Sequence, residues 1–191
     1  VVSGKLDGIS VMYSGGKLYT RGRATHGMDI SYMIPYLKLP NRKDVTLRGE
    51  LLIKEDLFEE KYSAEYKNSR NMVAGVVNSK KRETGKWSDL DFVGYEVIEP
   101  RMKPSEQLAW LQDNNVVTVL HEVVDDISNE MLSDLLVEWR DTYEYTIDGI
   151  IDVYINSTTE VAGFQFDFNI ETDGLNLYLL AIGSHSFKNF I

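Results

Sequence analysis

Two β-rich runs, residues 9–13 and 17–21, stand either side of Ser14-Gly15-Gly16, and this triplet commits the chain to a compact hairpin early in its length. Tight turns of this kind need backbone angles that glycine adopts without a Cβ penalty. A hairpin implies an antiparallel pair, and the remaining segments must be arranged around it. Further strands are predicted over residues 45–53, 90–98, 116–124, 147–155 and 161–168 from their β-branched and aromatic content. Helices are predicted over residues 55–66, over 70–78 despite Gly75, over 104–112 and over 128–143. The last is the clearest: Ser128 can cap it, Glu130 suits its first turn, and Leu132, Leu135, Leu136 and Trp139 share one face. A polar, proline-punctuated segment runs through Pro35 and Pro40, and residues 173–191 read as a turn, a strand and a mixed tail. No internal repeat or low-complexity tract interrupts the pattern. Intermixed strands and helices with hairpins give an α+β class, with largely antiparallel sheets flanked by helices.

Length and composition narrow the chemistry. With 191 residues and 43% hydrophobic content the chain can bury a sizeable core. Cysteine is absent, which excludes disulfides and thiolate metal sites and fits a reducing, intracellular setting, so a cytoplasmic location is expected. His26, His121 and His185 lie far apart, without metal-ligand spacing. No apolar run reaches the roughly 18 residues of a membrane span, and no signal-peptide pattern opens the chain. The first residue is Val1 and not methionine, from which a fragment or processed form is expected. The formal charge of −10 weighs against broad contact with nucleic acid, which needs clustered Lys and Arg. Basic residues gather only locally, at Lys80-Lys81-Arg82 and around Arg21 and Arg23, while the acidic excess sits mainly between residues 122 and 173. Such clusters are commonly no more than solvated faces.

Chemistry-bearing residues stand out against this pattern. In Lys5-Leu6-Asp7-Gly8 an amine precedes a carboxylate and a glycine, a grouping suited to covalent nucleotide transfer. A lysine attacks phosphorus only after its proton is released. Asp7 could orient a hydroxyl or an ammonium, and Gly8 lets the backbone approach a ligand closely. Alone, the four residues also describe an ordinary surface turn. Lys5 is expected just before a strand. Glu50, after Gly49, and Asp148, before Gly149, place charges where apolar strand would be expected. Several charges inside one small domain point either to a polar pocket or to structural ion pairs.

Read together, Lys5-Leu6-Asp7-Gly8, Thr20-Arg21-Gly22, Leu47-Arg48-Gly49-Glu50, the run NSRNMVAG at 68–75, FVGYEV at 92–97 and Tyr145-Thr146-Ile147-Asp148-Gly149-Ile150-Ile151 resemble the adenylation domain of NAD-dependent DNA ligases, of the kind found in large DNA viruses. Order and approximate spacing match over about residues 1–168. The asparagine-arginine-asparagine run favours the NAD-dependent branch over ATP-dependent polynucleotide ligases and capping-type guanylyltransferases, the rival readings that share the lysine motif. The resemblance implies the covalent nucleotidyltransferase fold, related to ATP-grasp-like ligases and mRNA capping enzymes. It implies a lysyl-AMP intermediate formed on Lys5 from NAD, with Mg²⁺, for sealing nicks in duplex DNA. By position it makes Arg21 the arginine after the second strand and Glu50 the carboxylate for ribose or a metal-bound water. Arg70 becomes the arginine serving nucleotide and DNA, Tyr95 the ring stacked on adenine, and Asp148 with Gly149 the motif before the last core strand. Each also has a structural counterpart: core for Tyr95, surface for Arg21 and Arg70, ion pairing for the two carboxylates.

The departures are as informative. The family's glutamate two residues before the lysine falls at Ser3, and the arginine eight beyond Arg70 falls at Asn78. The lysine ending the motif at Asp148 is replaced by Val153, beside Asp152, and the lysine of the later motif by Gln165, which would face the α-phosphate. Lys188 could substitute only if the tail folded back. Losing such contacts commonly slows a reaction by about a hundredfold to a thousandfold, so impaired activity, or an inactive nucleotide- or nick-binding module, is the reading from another class. Residues 1–168 are expected to form the adenylation core, and 169–191 a final strand or the start of a truncated oligonucleotide-binding barrel. The small N-terminal domain, the complete barrel and the helix-hairpin-helix modules are expected elsewhere in the same polypeptide, with nicked duplex DNA as partner and no membrane role.

Overall fold

The computed structural model describes residues 1–21, 27–125 and 127–151. Their order is β1 (Val2–Leu6), β2 (Ile9–Ser14), β3 (Lys17–Thr20), a 3₁₀ helix (Ser31–Tyr36), β4 (Thr46–Leu52), α1 (Glu55–Lys61), α2 (Ser69–Asn78), α3 (Thr84–Trp87), β5 (Asp91–Glu99), α4 (Pro104–Asp113), β6 (Val117–Thr118), β7 (His121–Glu122), α5 (Asn129–Thr142) and β8 (Ile147–Ile151). The described residues divide into two compact units, 1–5, 120–143 and 147–151 in one, 6–119 and 144–146 in the other.

The second unit is built on a five-stranded sheet of order β3-β2-β4-β5-β6. Its seed is the hairpin read from sequence: Gly15 and Gly16 take φ of 61° and 79°, and Val11 to Ser14 pair with Thr20 to Lys17. β4 joins antiparallel to β2, and β5 antiparallel to β4 with an irregularity between Arg48 and Gly49. The alternation of the strands separates the two faces. Val11, Tyr13, Leu47 and Leu51 are buried on one, while Ser10, Arg48 and Glu50 point to the other. α2 packs on β2 and β4 through a helix whose Met72, Val73, Val76 and Val77 are all buried. α4 lies against β5 and β6. It returns the chain in the crossover sense, so β6 runs parallel to β5. The sheet is thus largely antiparallel, as expected, with one parallel pairing at this edge.

The first unit carries a three-stranded sheet, β7-β1-β8, with α5 packed on β8. Ser128 caps α5 by accepting from the Met131 N–H at 3.1 Å, and Leu132, Leu135, Leu136 and Trp139 are buried as their spacing predicts. A Cβ at Gly4 would come within 3.2 Å of Ile147 Cγ2, so the close approach of these neighbours suits a glycine.

Three expectations are corrected. Lys5 lies inside β1, not ahead of a strand. Val-Ser-Gly-Lys-Leu has little β propensity of its own and is extended by pairing, Val2 with Glu122 and Ser3 with His121. The single strand expected over 116–124 is two two-residue strands that serve different sheets. The helix expected to reach residue 66 ends at Lys61, where the Phe58 carbonyl accepts from both Tyr62 and Ser63, and the buried Tyr62 ring directs its hydroxyl to Asp89 at 2.6 Å. The strand expected at 161–168, the tail at 173–191 and the boundary at 168 lie outside the described residues.

Candidate active site

In the first unit, β1 presents Lys5 and β8 presents Asp148, and the Lys5 ammonium donates a hydrogen bond to Asp148 Oδ2. The lysine side chain is 31% exposed and the aspartate 53%, so both remain open to a ligand. Asp148 is tied in turn to α5, since Arg140 Nη2 donates to the Asp148 carbonyl at 2.9 Å. While Nζ donates to the carboxylate its lone pair is occupied by a proton. Nucleophilic use requires that proton to leave, and the group already in contact is a carboxylate that can accept it. Next to Asp148, Gly149 has no atom of the described residues within 4 Å of where a Cβ would lie.

In the second unit, Ser10 lies opposite Glu50 in the β2–β4 register, and the Arg21 N–H donates to the Ser10 carbonyl at 2.9 Å. Arg21, one residue past the end of β3, thus stands in a row with Ser10 and Glu50. Tyr95 sits in the irregularity of β5, because Gly94 pairs with Gly49 and Glu96 with Arg48, leaving no partner position for residue 95. Two residues opposite one is the geometry of a β-bulge, which re-aims a side chain. Tyr95 follows Val93 onto the Glu50 face, where its hydroxyl lies 3.1 Å from Ser10 Oγ, and the extra residue brings Glu96 opposite Arg48 and Val97 opposite Leu47. Burial pushes the Tyr95 hydroxyl up to about 12, the Ser10 hydrogen bond working against that rise and the charge of Glu50 adding to it. The ring is therefore a neutral phenol at any physiological pH.

Asp7 and Arg70, also in the second unit, form an ion pair at 2.6 Å that joins the chain after β1 to the first turn of α2. Gly8 approaches its own protein: a Cβ there would lie 2.3 Å from the Leu51 carbonyl and 2.8 Å from Glu50 Cγ. Its smallness serves the seating of the chain against β4. Gln165, Val153 and Arg23 lie outside the described residues. Lys80, Lys81 and Arg82 are exposed, and the Arg82 guanidinium stacks over Tyr32 at 5.3 Å.

Sequence reasoning passed over Ser10, Ser69, Thr146, Glu55 and Arg140. Small hydroxyl residues carry no periodic signal, so only pairing reveals them. The cap of α2 was passed over as well: Asn68 accepts from the Asn71 N–H at 2.8 Å. Among the described residues no three or more His, Asp or Glu side chains gather as a ready metal cage. Mg²⁺ typically takes one or two carboxylates and completes its shell with phosphate oxygens and water, a demand that Glu50 on its polar sheet face fits.

The described residues form helices packed on two sheets, one carrying the Lys5–Asp148 pair and the other a polar face with Ser10, Glu50 and Tyr95. The chain belongs to the NAD-dependent DNA ligase adenylation domain family, whose model matches residues 1–167. It is 37% identical over 188 residues to a DNA ligase of Acanthamoeba polyphaga mimivirus, covering 90% of this chain and 29% of that protein. It is 31% identical over 172 residues to a protein of Invertebrate iridescent virus 6 named as a candidate DNA ligase, covering 79% of this chain and 27% of the other. A DNA ligase of Psychromonas ingrahamii is 29% identical over 82% of this chain and 22% of its own. The chain thus spans less than a third of each of these relatives. A solved structure from a study of Lig E DNA ligases shares the fold with a TM-score of 0.52 at 21% identity, over 78% of this chain and 52% of the other. No helix of the described residues is long and apolar enough to cross a membrane.

Proposed function

We propose that this chain is the adenylating part of an NAD-dependent DNA ligase with the covalent nucleotidyltransferase fold. In the reaction, Lys5 Nζ attacks the α-phosphorus of NAD, a P–N bond forms, and the P–O bond to nicotinamide mononucleotide breaks with its electron pair on the leaving phosphate. Asp148 takes the lysine proton. AMP then passes to the 5′-phosphate of a nicked duplex, and the 3′-hydroxyl displaces it. The observation that carries this reading is the hydrogen bond between the Lys5 ammonium and Asp148, a nucleophile already joined to its proton acceptor.

The other residues are assigned by chemistry. The Tyr95 ring offers a flat, neutral surface for adenine, and Glu50 with Ser10 offers acceptors for ribose hydroxyls. Arg21, exposed at the end of its row, suits a phosphate, as does Arg70 once released from Asp7. Gly149 leaves room beside Asp148, and Gln165 takes the place of a family lysine near the α-phosphate. Mg²⁺, held through Glu50 and phosphate oxygens, would neutralise charge on the transferring group. In the whole polypeptide we assign nicked duplex DNA as the partner, with flanking domains gripping the nicotinamide end and encircling the DNA, and an intracellular setting.

The test is incubation of the full-length protein with NAD radiolabelled in its AMP half, followed by denaturing electrophoresis. Label on the protein from NAD, absent in Lys5→Ala, is the expected result. Label from ATP or GTP instead, or label surviving Lys5→Ala, overturns it; binding of NAD with no label points to the inactive module.

A further inference from the structure

α2 begins with two consecutive residues that hold two different stretches of chain. Ser69, only 6% exposed, lies 3.1 Å from Thr146 Oγ1, and Arg70 pairs with Asp7 at 2.6 Å. Thr146 and Asp7 are themselves joined, the Asp7 N–H donating to the Thr146 carbonyl at 3.1 Å. The Thr146 hydroxyl has one proton and gives it to Glu55 Oε2 at 2.6 Å, so Ser69 must be the donor to Thr146. The chain of donation runs Ser69 to Thr146 to Glu55. Its far end is fixed as well, for the Glu55 N–H donates to the Glu144 carbonyl at 2.9 Å and the neighbouring Lys54 pairs with Glu144 at 2.5 Å. Tyr145, between these two, is buried and donates its hydroxyl to Asp91 at 2.8 Å. Three consecutive residues, 144–146, are each held, Glu144 and Thr146 both by Glu55 and Tyr145 by Asp91.

Counted along the chain, Lys5 lies two residues before Asp7 and Asp148 two residues after Thr146. The contacts of 7 with 146 and of 5 with 148 thus share one register, each step forward on one segment matching a step back on the other. In extended chain a slip of one residue turns every following side chain to the opposite side. A slip at 146 would therefore take Asp148 away from Lys5 altogether. Register is weakly specified where glycine and small residues offer little side-chain bulk, as around Gly8 and Gly149. A polar anchor beside such a stretch has something to decide.

We infer that Ser69, Thr146 and Glu55 are positioning residues: their hydroxyl–hydroxyl–carboxylate relay, with the adjoining Arg70–Asp7 pair, sets the register in which Lys5 meets Asp148. The inference rests on the adenylation reading for its catalytic consequence, while the relay itself can be measured without it. None of the three touches the reacting atoms; they act through the backbone of residues 7 and 146.

The experiment uses the full-length protein and three variants. Thr146→Val keeps shape and removes the hydroxyl, Thr146→Ser keeps the hydroxyl, and Ser69→Ala removes the donor. Loss of one such hydrogen bond should slow single-turnover lysyl-AMP formation about tenfold in Thr146→Val and Ser69→Ala. Half-saturation by NAD should stay unchanged, and Thr146→Ser should remain within about twofold of the parent. Exchange of the Asp7 amide hydrogen should quicken in the two slow variants only. Parent-like rates in Thr146→Val and Ser69→Ala, or Thr146→Ser falling as far as Thr146→Val, overturn the inference. Should Thr146→Val fail to fold, Ser69→Ala and Thr146→Ser decide it by the same criteria. If the parent itself forms no lysyl-AMP, the adenylation reading fails, and amide exchange at Asp7 alone judges the relay: faster in Ser69→Ala supports it, unchanged sinks it.

Discussion

Gly8 and Tyr95 show how single side chains prepare the polar face of the five-stranded sheet. At Gly8 a methyl group would stand 2.3 Å from a backbone oxygen, that of Leu51, which cannot swing aside as a side-chain end could. Gly8→Ala is therefore expected to destabilise the protein by about 1 to 3 kcal/mol, read as a lower urea midpoint. A change in midpoint below the error of the fit would show that β4 yields there. Gly8 was expected to make room for a ligand, and the sequence could not say that the room is filled by β4. Tyr95 was legible as an aromatic in a strand and alternation from Phe92 gives its facing, but not that of Glu96 and Val97, because it ignores the extra residue of the bulge. Its hydroxyl also has a pH signature. Burial holds the hydroxyls of Tyr95 and Tyr62 up at about 12, with the Asp89 hydrogen bond adding to the rise at Tyr62, whereas an unfolded tyrosine ionises near 10.0. Between those values the native protein keeps protons the unfolded chain has released, so the stabilisation is complete below about pH 10 and is lost as pH climbs toward 12. Denaturation midpoints should fall steeply over that window. The fall should be shallower in Tyr95→Phe, and an identical slope would count against the buried-phenol assignment.

Among elements, α5 was readable nearly to the residue because cap, period and stripe all agree. Leu136 is 4% exposed and Val137, one residue on, is 63% exposed, so the helix supplies its own control. Leu136→Ala should cost about 2 to 5 kcal/mol by the loss of buried side chain and the cavity left behind, while Val137→Ala should change stability by no more than about 0.5 kcal/mol. Chemical denaturation of the pair tests this, and equal effects would mean the helix faces are wrongly assigned. The strands at residues 117–122 were not readable in the same way. A valine-rich run looks like one strand, yet Val117 and Thr118 pair with β5 while His121 and Glu122 pair with the segment holding Val2 and Ser3. Nothing in the local sequence says which sheet an apolar residue joins, since that is decided by pairing between distant residues. β1 was missed for the same reason. Its extension comes from neighbours, and Lys5, the proposed nucleophile, lies on it.

For the chain as a whole, the reaction and the charge balance pull in opposite directions. On the adenylation proposal a formal charge of −10 disfavours anionic ligands, and positions 153 and 165, where the resemblance implies lysines, hold Val153 and Gln165. Phosphoryl transfer depends chiefly on cations facing the oxygens of the transferring group. On the same proposal, the charge of those two ammonium groups would have to come from Arg21 and Arg70, and Arg70 is paired with Asp7. Adenylation by the full-length protein is accordingly expected to be slow, and restoring the missing charge should quicken it. Gln165→Lys, which brings an ammonium in place of an amide, should raise the single-turnover rate of lysyl-AMP formation by about a hundredfold, the usual size of one such electrostatic contact. Gln165→Met, similar in length and uncharged, should give no increase, which separates charge from side-chain bulk. Because the added charge acts on the transition state more than on bound NAD, the gain should fall in the rate constant and leave half-saturation nearly fixed. An unchanged rate in Gln165→Lys would mean that position 165 does not face the phosphate here, and that another cation of this chain already neutralises it.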